Sequence, residues 1–268
     1  METDITVDPL VQLQMWGVAL YRDVLHESVL NTIGQAADRC FHEIESLIAK
    51  YGVEQVNQHL PPDGAFHERS SYIKLAALDR HLPGNKPDIW SLVAHSPLRE
   101  VILQVMGEGV CVNLTQVPVR KQYAPGNAHV LHSPNQWHQD GALGVTFGDL
   151  PENNSPYLDT PLTDLLTCWV PLTDCGVDRP GLEFITAPLT QLLHYQFLTP
   201  AALGNLFNPD QFWVPQAKVG DALVFLPGTL HRTAVYPAMT GDRLSIELRL
   251  FRGDRIPAWM EQDTFVEL

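Results

Sequence analysis

Basic charge, paired cysteine and long apolar runs are all scarce in this 268-residue chain. Lysine and arginine number 17 against 31 aspartates and glutamates, for a net charge of −14. Binding a phosphate backbone or an anionic membrane takes clustered cations, so nucleic acid and membranes are not expected partners. The four cysteines, Cys40, Cys111, Cys168 and Cys175, show no C-x-x-C spacing, which argues against a disulfide framework and against a zinc finger. Cys111 and Cys168 lie in strand-like apolar runs and read as buried, reduced thiols. No apolar run reaches the length of a membrane span. The opening Met1-Glu2-Thr3-Asp4 is acidic where a secretory signal would carry positive charge, so the expected location is cytoplasmic. What remains is an ordinary globular composition, 45% hydrophobic and 18% charged, in a chain of the length of one large domain.

Helical patterning comes first along the chain. Trp16 to Tyr21 reads as a short strand, and His26 to Tyr51 as a helix with an apolar stripe of Val29, Ile33, Ala36, Ala37, Cys40, Ile44, Leu47 and Ile48. Pro61-Pro62-Asp63-Gly64 marks a loop, Ile73 to Leu78 a strand, and Ile89 to Met106 two helices split near Ser96-Pro97. From residue 110 the character changes. Val110–Thr115, Leu165–Leu172, Gly181–Ile185, 211–216, 221–226, 231–236 and 243–251 read as strands, with a long Pro/Gly/His/Asn-rich loop between Thr115 and His138, a short helix near 199–207 and an exposed loop over 148–164. Helices followed by many short strands with Pro/Gly turns predict a mainly β protein with flanking helices, built on a jelly roll. The expected organisation is one domain over 1–268: a mostly helical part and lid over 1–109, then a core over 110–252 that carries the chemistry.

The chemistry centres on Trp137-His138-Gln139-Asp140, where a histidine stands two residues before a carboxylate. In extended backbone residues i and i+2 point the same way, so His138 and Asp140 can converge on one metal while Gln139 points elsewhere. His231 follows a turn, buried strand and turn over 219–228 and would stand at a sheet rim. Two histidines and one carboxylate cover one face of an octahedral metal and leave the other open, the pattern of non-haem Fe(II) oxygenases. Downstream, Leu244, Ile246, Leu248 and Leu250 alternate with Arg243, Ser245, Glu247 and Arg249. A charged face in a central strand needs a partner. A dicarboxylic cosubstrate supplies one, with one end on the metal and the other on Arg243, assisted by Ser245.

These residues, together with Trp169-Val170-Pro171-Leu172-Thr173-Asp174-Cys175-Gly176 and Pro180-Gly181-Leu182-Glu183-Phe184-Ile185, resemble the phytanoyl-CoA dioxygenase-like branch of the Fe(II)/2-oxoglutarate oxygenases. The resemblance covers roughly 110–252. It implies a double-stranded β-helix (cupin-like) core, His138, Asp140 and His231 as iron ligands, and Arg243 as the clamp on the distal carboxylate of 2-oxoglutarate, with O₂ as co-substrate. Halogenating relatives replace the carboxylate with a small residue, so Asp140 points to hydroxylation; desaturation, ring closure and epimerisation use the same triad and stay open. Asn113, Thr115, Gln122, Trp169 and His132 are further candidates for the pocket. His194 is the rival third ligand. Arg249 is the rival clamp, but it lies six residues further along the strand, about 20 Å at ordinary strand rise, and reads as half of an ion pair at the strand's far end. The expected substrate is a small metabolite or natural product, with a cationic one suiting the acidic chain. The readings of another class are a jelly-roll binding module and a cupin-like metal enzyme that does not use 2-oxoglutarate.

Overall fold

The computed structural model describes residues 8–61, 64–82, 89–126, 134–148 and 155–268. Its helices are α1 (Pro9–Trp16), α2 (Glu27–Tyr51), α3 (Ile89–Ala94), α4 (Leu98–Met106) and α5 (Pro200–Leu206). Its strands are β1 (Val18–Tyr21), β2 (Tyr72–Lys74), β3 (Val110–Asn113), β4 (Pro118–Gln122), β5 (Tyr157–Leu158), β6 (Leu165–Pro171) and β7 (Gly181–Ile185), then β8 (Leu192–Leu193), β9 (Phe212–Trp213), β10 (Ala222–Phe225), β11 (His231–Ala234), β12 (Arg243–Arg252) and β13 (Phe265–Glu267).

Eight strands form one large antiparallel sheet, ordered β1-β10-β6-β12-β3-β13, with β4 pairing β12 and β2 pairing β4. A three-stranded sheet, β11-β7-β9, faces it, and β5 pairs β8 in a small ribbon. The architecture is a jelly roll with helices packed on one side. β12 is its spine, pairing β6 along seven residues and passing from β4 to β3 on its other edge.

Alternation along β12 and β6 separates two cores. Leu244, Ile246, Leu248 and Leu250 pack with Leu166, Cys168 and Val170 against the stripe of α2, where Leu30, Ile33, Ala37, Cys40 and Ile44 are fully buried. Each leucine, isoleucine or valine among them contributes roughly 1.5–3 kcal/mol by leaving water. The opposite face puts Trp169 with Phe225 and Leu223 against Leu182 and Phe184 of the small sheet. The polar residues of β12 share that inner side, which is why a central strand can carry Arg243, Ser245, Glu247 and Arg249.

Several boundaries differ from the sequence reading. Trp16 closes a helix, which Asp8 opens by capping Leu10 N–H at 2.8 Å with Pro9 in the first turn. Residues 73–78 are a strand only to Lys74, after which Leu75–His81 wind into a 3₁₀ helix. β3 stops at Asn113, the 211–216 run is extended only over Phe212–Trp213, and β11 ends at Ala234. β4, rich in Pro, Arg and Lys, was read as loop; β13 was not anticipated. The large sheet therefore also draws β1, β2 and β13 from outside 110–252. Among the described residues no helix is long and apolar enough to cross a membrane.

Candidate metal and cosubstrate site

The backbone sets the histidines. His138 and His231 form an isolated antiparallel bridge, each N–H donating to the other's carbonyl at 3.0 Å. Gln139 is extended (φ −122°, ψ 129°), so its side chain leaves the opposite face. There its amide donates to Gly228 O at 2.8 Å and Gln191 O at 3.0 Å, and accepts from Leu193 N–H at 2.7 Å. Asp140 then opens a 3₁₀ turn, held by Gly141 N–H donating to Pro227 O at 2.8 Å. The inward pair and the outward glutamine are the alternation expected of the motif.

One ligand atom from each of His138, Asp140 and His231 lies within 4.8 Å of the others. The imidazole centroids are 4.2 Å apart. His138 Nδ1 is 2.6 Å from Gln136 O, and His231 Nδ1 is 3.0 Å from Thr229 O. A carbonyl can only accept, so each Nδ1 carries a proton, which leaves Nε2 as the nitrogen each ring can offer to a cation.

Charge follows the same pattern. His231 is fully buried, with Phe225 4.6 Å and Phe184 5.9 Å from it between ring centroids. Burial, then His138, lowers its pKa to about 4, with Asp140 pulling the other way. Burial would raise the Asp140 carboxyl, but Arg249, the two histidines and the Thr167 hydroxyl together hold it well below the usual carboxylate range. Arg249 is the largest of these opposing influences and keeps a fixed positive charge beside the carboxylate. Two neutral imidazoles and one carboxylate fit a divalent metal of the Fe(II) type.

Arg243 lies in the same cleft, which is also lined by His138, His231, Trp169 and Thr233. It is completely buried, its guanidinium stacked 5.2 Å from the Trp169 ring, and Nη1 donates to Ser245 Oγ at 2.9 Å. Nε and Nη2 have no partner. Burial lowers its pKa to about 10, so it remains a cation at neutral pH. A buried cation with two unmatched N–H groups is costly unless an anion completes it.

Glu247 and Arg120 line this cleft and also a larger cavity of about 460 Å³ on its far side, walled by Arg249, Tyr72, Leu143, Phe251 and Trp259. Asn113 lines the larger cavity and donates to Thr264 Oγ1 at 2.7 Å. Gln122 is buried opposite Arg243 in register and lines neither space; its amide donates to Tyr123 O at 3.2 Å. His132 and the Thr115 side chain lie outside the described residues. His194 is no part of the triad: it is buried, with Nε2 3.0 Å from Gly148 O and Nδ1 accepting from Gln196 N–H at 3.4 Å.

Arg249 is ion-paired, as expected, but its partners belong to the candidate site: Nη2 sits 3.2 Å from Asp140 Oδ1 and 2.6 Å from Glu247 Oε1. Strand rise separates Arg249 from Arg243 but carries no information on where Asp140, which comes from another segment, meets the strand. Thr167, which donates to Asp140 Oδ2 at 2.6 Å, was missed because nothing in an apolar run of sequence marks one threonine as a carboxylate partner.

No protein-family model matches the chain, and no curated protein does. Solved structures do. EctD from S. alaskensis, with 2-oxoglutarate and 5-hydroxyectoine, is similar at 17% identity and a TM-score of 0.62, over 95% of this chain and 79% of that one. The epimerase SnoN, in complex with Fe³⁺, α-ketoglutarate and nogalamycin RO, is similar at 14% identity and a TM-score of 0.54, over 94% and 86%. The non-haem α-ketoglutarate-dependent carbocyclase SnoK from nogalamycin biosynthesis is similar at 15% identity and a TM-score of 0.51, over 92% and 84%. At such identities the likeness is one of fold, and the fold is the antiparallel jelly roll that these enzymes share.

Proposed function

We propose that the protein is an Fe(II)- and 2-oxoglutarate-dependent oxygenase acting on a small molecule, of the phytanoyl-CoA dioxygenase-like kind that its motifs resemble. His138, Asp140 and His231 would hold the iron, and Arg243 with Ser245 the distal carboxylate of 2-oxoglutarate. The observation that carries this reading is the juxtaposition of a His-Asp-His cluster with a buried, half-unpartnered arginine in one cleft. A binding module has no use for an uncompensated buried cation beside three metal donors. Bound there, iron and 2-oxoglutarate supply O₂-dependent oxidation of a C–H bond coupled to decarboxylation of the cosubstrate to succinate and CO₂.

The chain's own residues bind, orient and exclude water. Phe184 and Phe225 shield His231, Trp169 covers Arg243, and Ser245 fixes one edge of the guanidinium so that the other edge faces the cleft. The cleft is narrow, about 10 Å³ of open volume, on the order of one water, so binding a five-carbon dicarboxylate there would require its lining side chains to move.

Hydroxylation is the favoured outcome because Asp140 retains the carboxylate; the names of SnoK and SnoN show cyclisation and epimerisation on the same fold. The 460 Å³ cavity is of the size that holds a drug-sized ligand, which suits a metabolite or natural product. On the same proposal the described part of 1–109 is taken as the flanks of one oxygenase domain; of the 148–164 loop expected to form a lid, 149–154 lie outside the described residues and Tyr157–Leu158 form β5. The four buried thiols, none of them in a disulfide, favour a reducing compartment, the cytoplasm.

Anaerobic titration with Fe(II) and then 2-oxoglutarate tests the proposal. A weak visible charge-transfer band that needs both additions is expected; reconstituted protein that never develops it would sink the oxygenase reading.

A further inference from the structure

Thr167 and Arg249 are direct cross-strand partners in the pairing of β6 with β12. From adjacent strands they close on the same carboxylate: the Thr167 hydroxyl donates to Asp140 Oδ2 at 2.6 Å, and Arg249 Nη2 donates to Oδ1 at 3.2 Å. Oδ1 is also the oxygen 3.9 Å from His138 Nε2. A carboxylate offers about four lone-pair sites, so one bond to each oxygen leaves room for a metal while removing freedom to rotate.

Arg249 is itself held. Glu247 Oε1 lies 2.6 Å from the same Nη2, an ionic contact, since that oxygen has no hydrogen-bond partner. Glu247 lines both the triad cleft and the 460 Å³ cavity, whereas Arg249 lines only the cavity. One guanidinium thus touches the carboxylate of the triad on one side and the space for a substrate on the other.

We propose that Arg249, braced by Glu247, is a positioning residue for Asp140, fixing with Thr167 which oxygen the carboxylate presents to the metal. The inference rests on the iron-site reading above and adds to it a role for two side chains outside the triad and the cosubstrate clamp. It also makes Arg249 the residue through which an occupant of the larger cavity is felt at Asp140. Partners that orient metal ligands typically account for 10–100-fold in metal affinity.

The test measures Co(II) binding to metal-free protein by its visible absorption, with thermal midpoints recorded in parallel. Wild type, Arg249→Met, Arg249→Lys, Glu247→Gln and Thr167→Val are compared. Arg249→Met should weaken Co(II) binding by about 10–100-fold, and should lower the thermal midpoint because it leaves Asp140 and Glu247 without their cation. Arg249→Lys should recover part of the loss, since lysine keeps the charge but not the planar fork. Glu247→Gln should fall between wild type and Arg249→Met. Should Arg249→Met not fold, Glu247→Gln and Thr167→Val carry the test, and each must bind Co(II) several-fold more weakly. Equal binding in all folded variants overturns the inference, as does tighter binding in Arg249→Met, which would make Arg249 a competitor of the metal. Failure of wild type itself to bind Co(II) would instead overturn the iron site.

Discussion

His138 and His231 hold each other through their main chains, in a two-bond bridge with both N–H···O distances at 3.0 Å. Their spacing is therefore set by backbone pairing, and the rings ride on it. His138→Ala should fold with a urea midpoint close to wild type, because its side chain is a third exposed. It should lose the Fe(II)/2-oxoglutarate absorption band. A variant that keeps the band would remove His138 from the ligand set.

Arg243 offers a prediction with two opposite signs. Arg243→Met leaves the three metal donors intact but should weaken 2-oxoglutarate binding by roughly 2–5 kcal/mol, the scale for truncating a buried charge pair. Without cosubstrate the same variant should be as stable as wild type or more so, since it removes a buried cation with two unmatched N–H groups. Thermal midpoints with and without 2-oxoglutarate read both effects; a shift on addition that persists in Arg243→Met counts against the clamp.

Gly228 should tolerate no side chain. A Cβ there would collide with Leu189 O, and Gly228 O also accepts from the Gln139 amide. Gly228→Ala should cost at least about 1–3 kcal/mol by overpacking and loosen the back of the triad segment. Urea denaturation together with Co(II) affinity would show both; a wild-type midpoint would refute the close approach.

The buried thiols set an alkaline limit. Burial pushes Cys168 up to about 12, and pushes Cys175 up to about 11 against the pull of Arg243. A group whose folded pKa is raised holds its proton more tightly folded than unfolded. Its contribution to stability is complete below the ordinary thiol value and is lost as pH rises through the folded one. Urea midpoints should therefore fall as pH climbs from about 9 toward 11, with Tyr21, pushed up to about 12 by burial and Asp8, adding to the fall at the upper end. A Cys168→Ala/Cys175→Ala protein should show a flatter decline. All four cysteines are buried and outside any disulfide, so a thiol reagent should label them only after unfolding.

Much of the site could be read from spacing. His138 and Asp140 sit two apart and do converge, and the alternation of β12 does separate a leucine face from a polar one. What could not be read depends on contacts between distant segments. Arg249 looked remote because strand rise measures its distance from Arg243, whereas Asp140 arrives from another segment at the register position that Arg249 shares with Thr167. Thr167 is one hydroxyl in the run LLTCWVP, and only its register opposite Arg249 gives it a partner. β4 was hidden by its composition: Lys121 and Arg120 read as loop, yet Lys121 is paired with Glu45 of α2 at 2.6 Å, so its charge is satisfied within the fold. β1 was displaced because Trp16 is apolar enough to read as strand, while the Asp8-Pro9 cap places it at the end of a helix.

The outward Gln139 has a consequence for anyone who would move this site to another protein. Its amide is tied at three points to segments about fifty and ninety residues away in sequence. The His-x-Asp pair is thus not a portable cassette. A graft carrying only the two inward side chains would leave behind the rear anchorage that decides where they point. The residue between them, which no metal would ever touch, is the part of the motif least free to change.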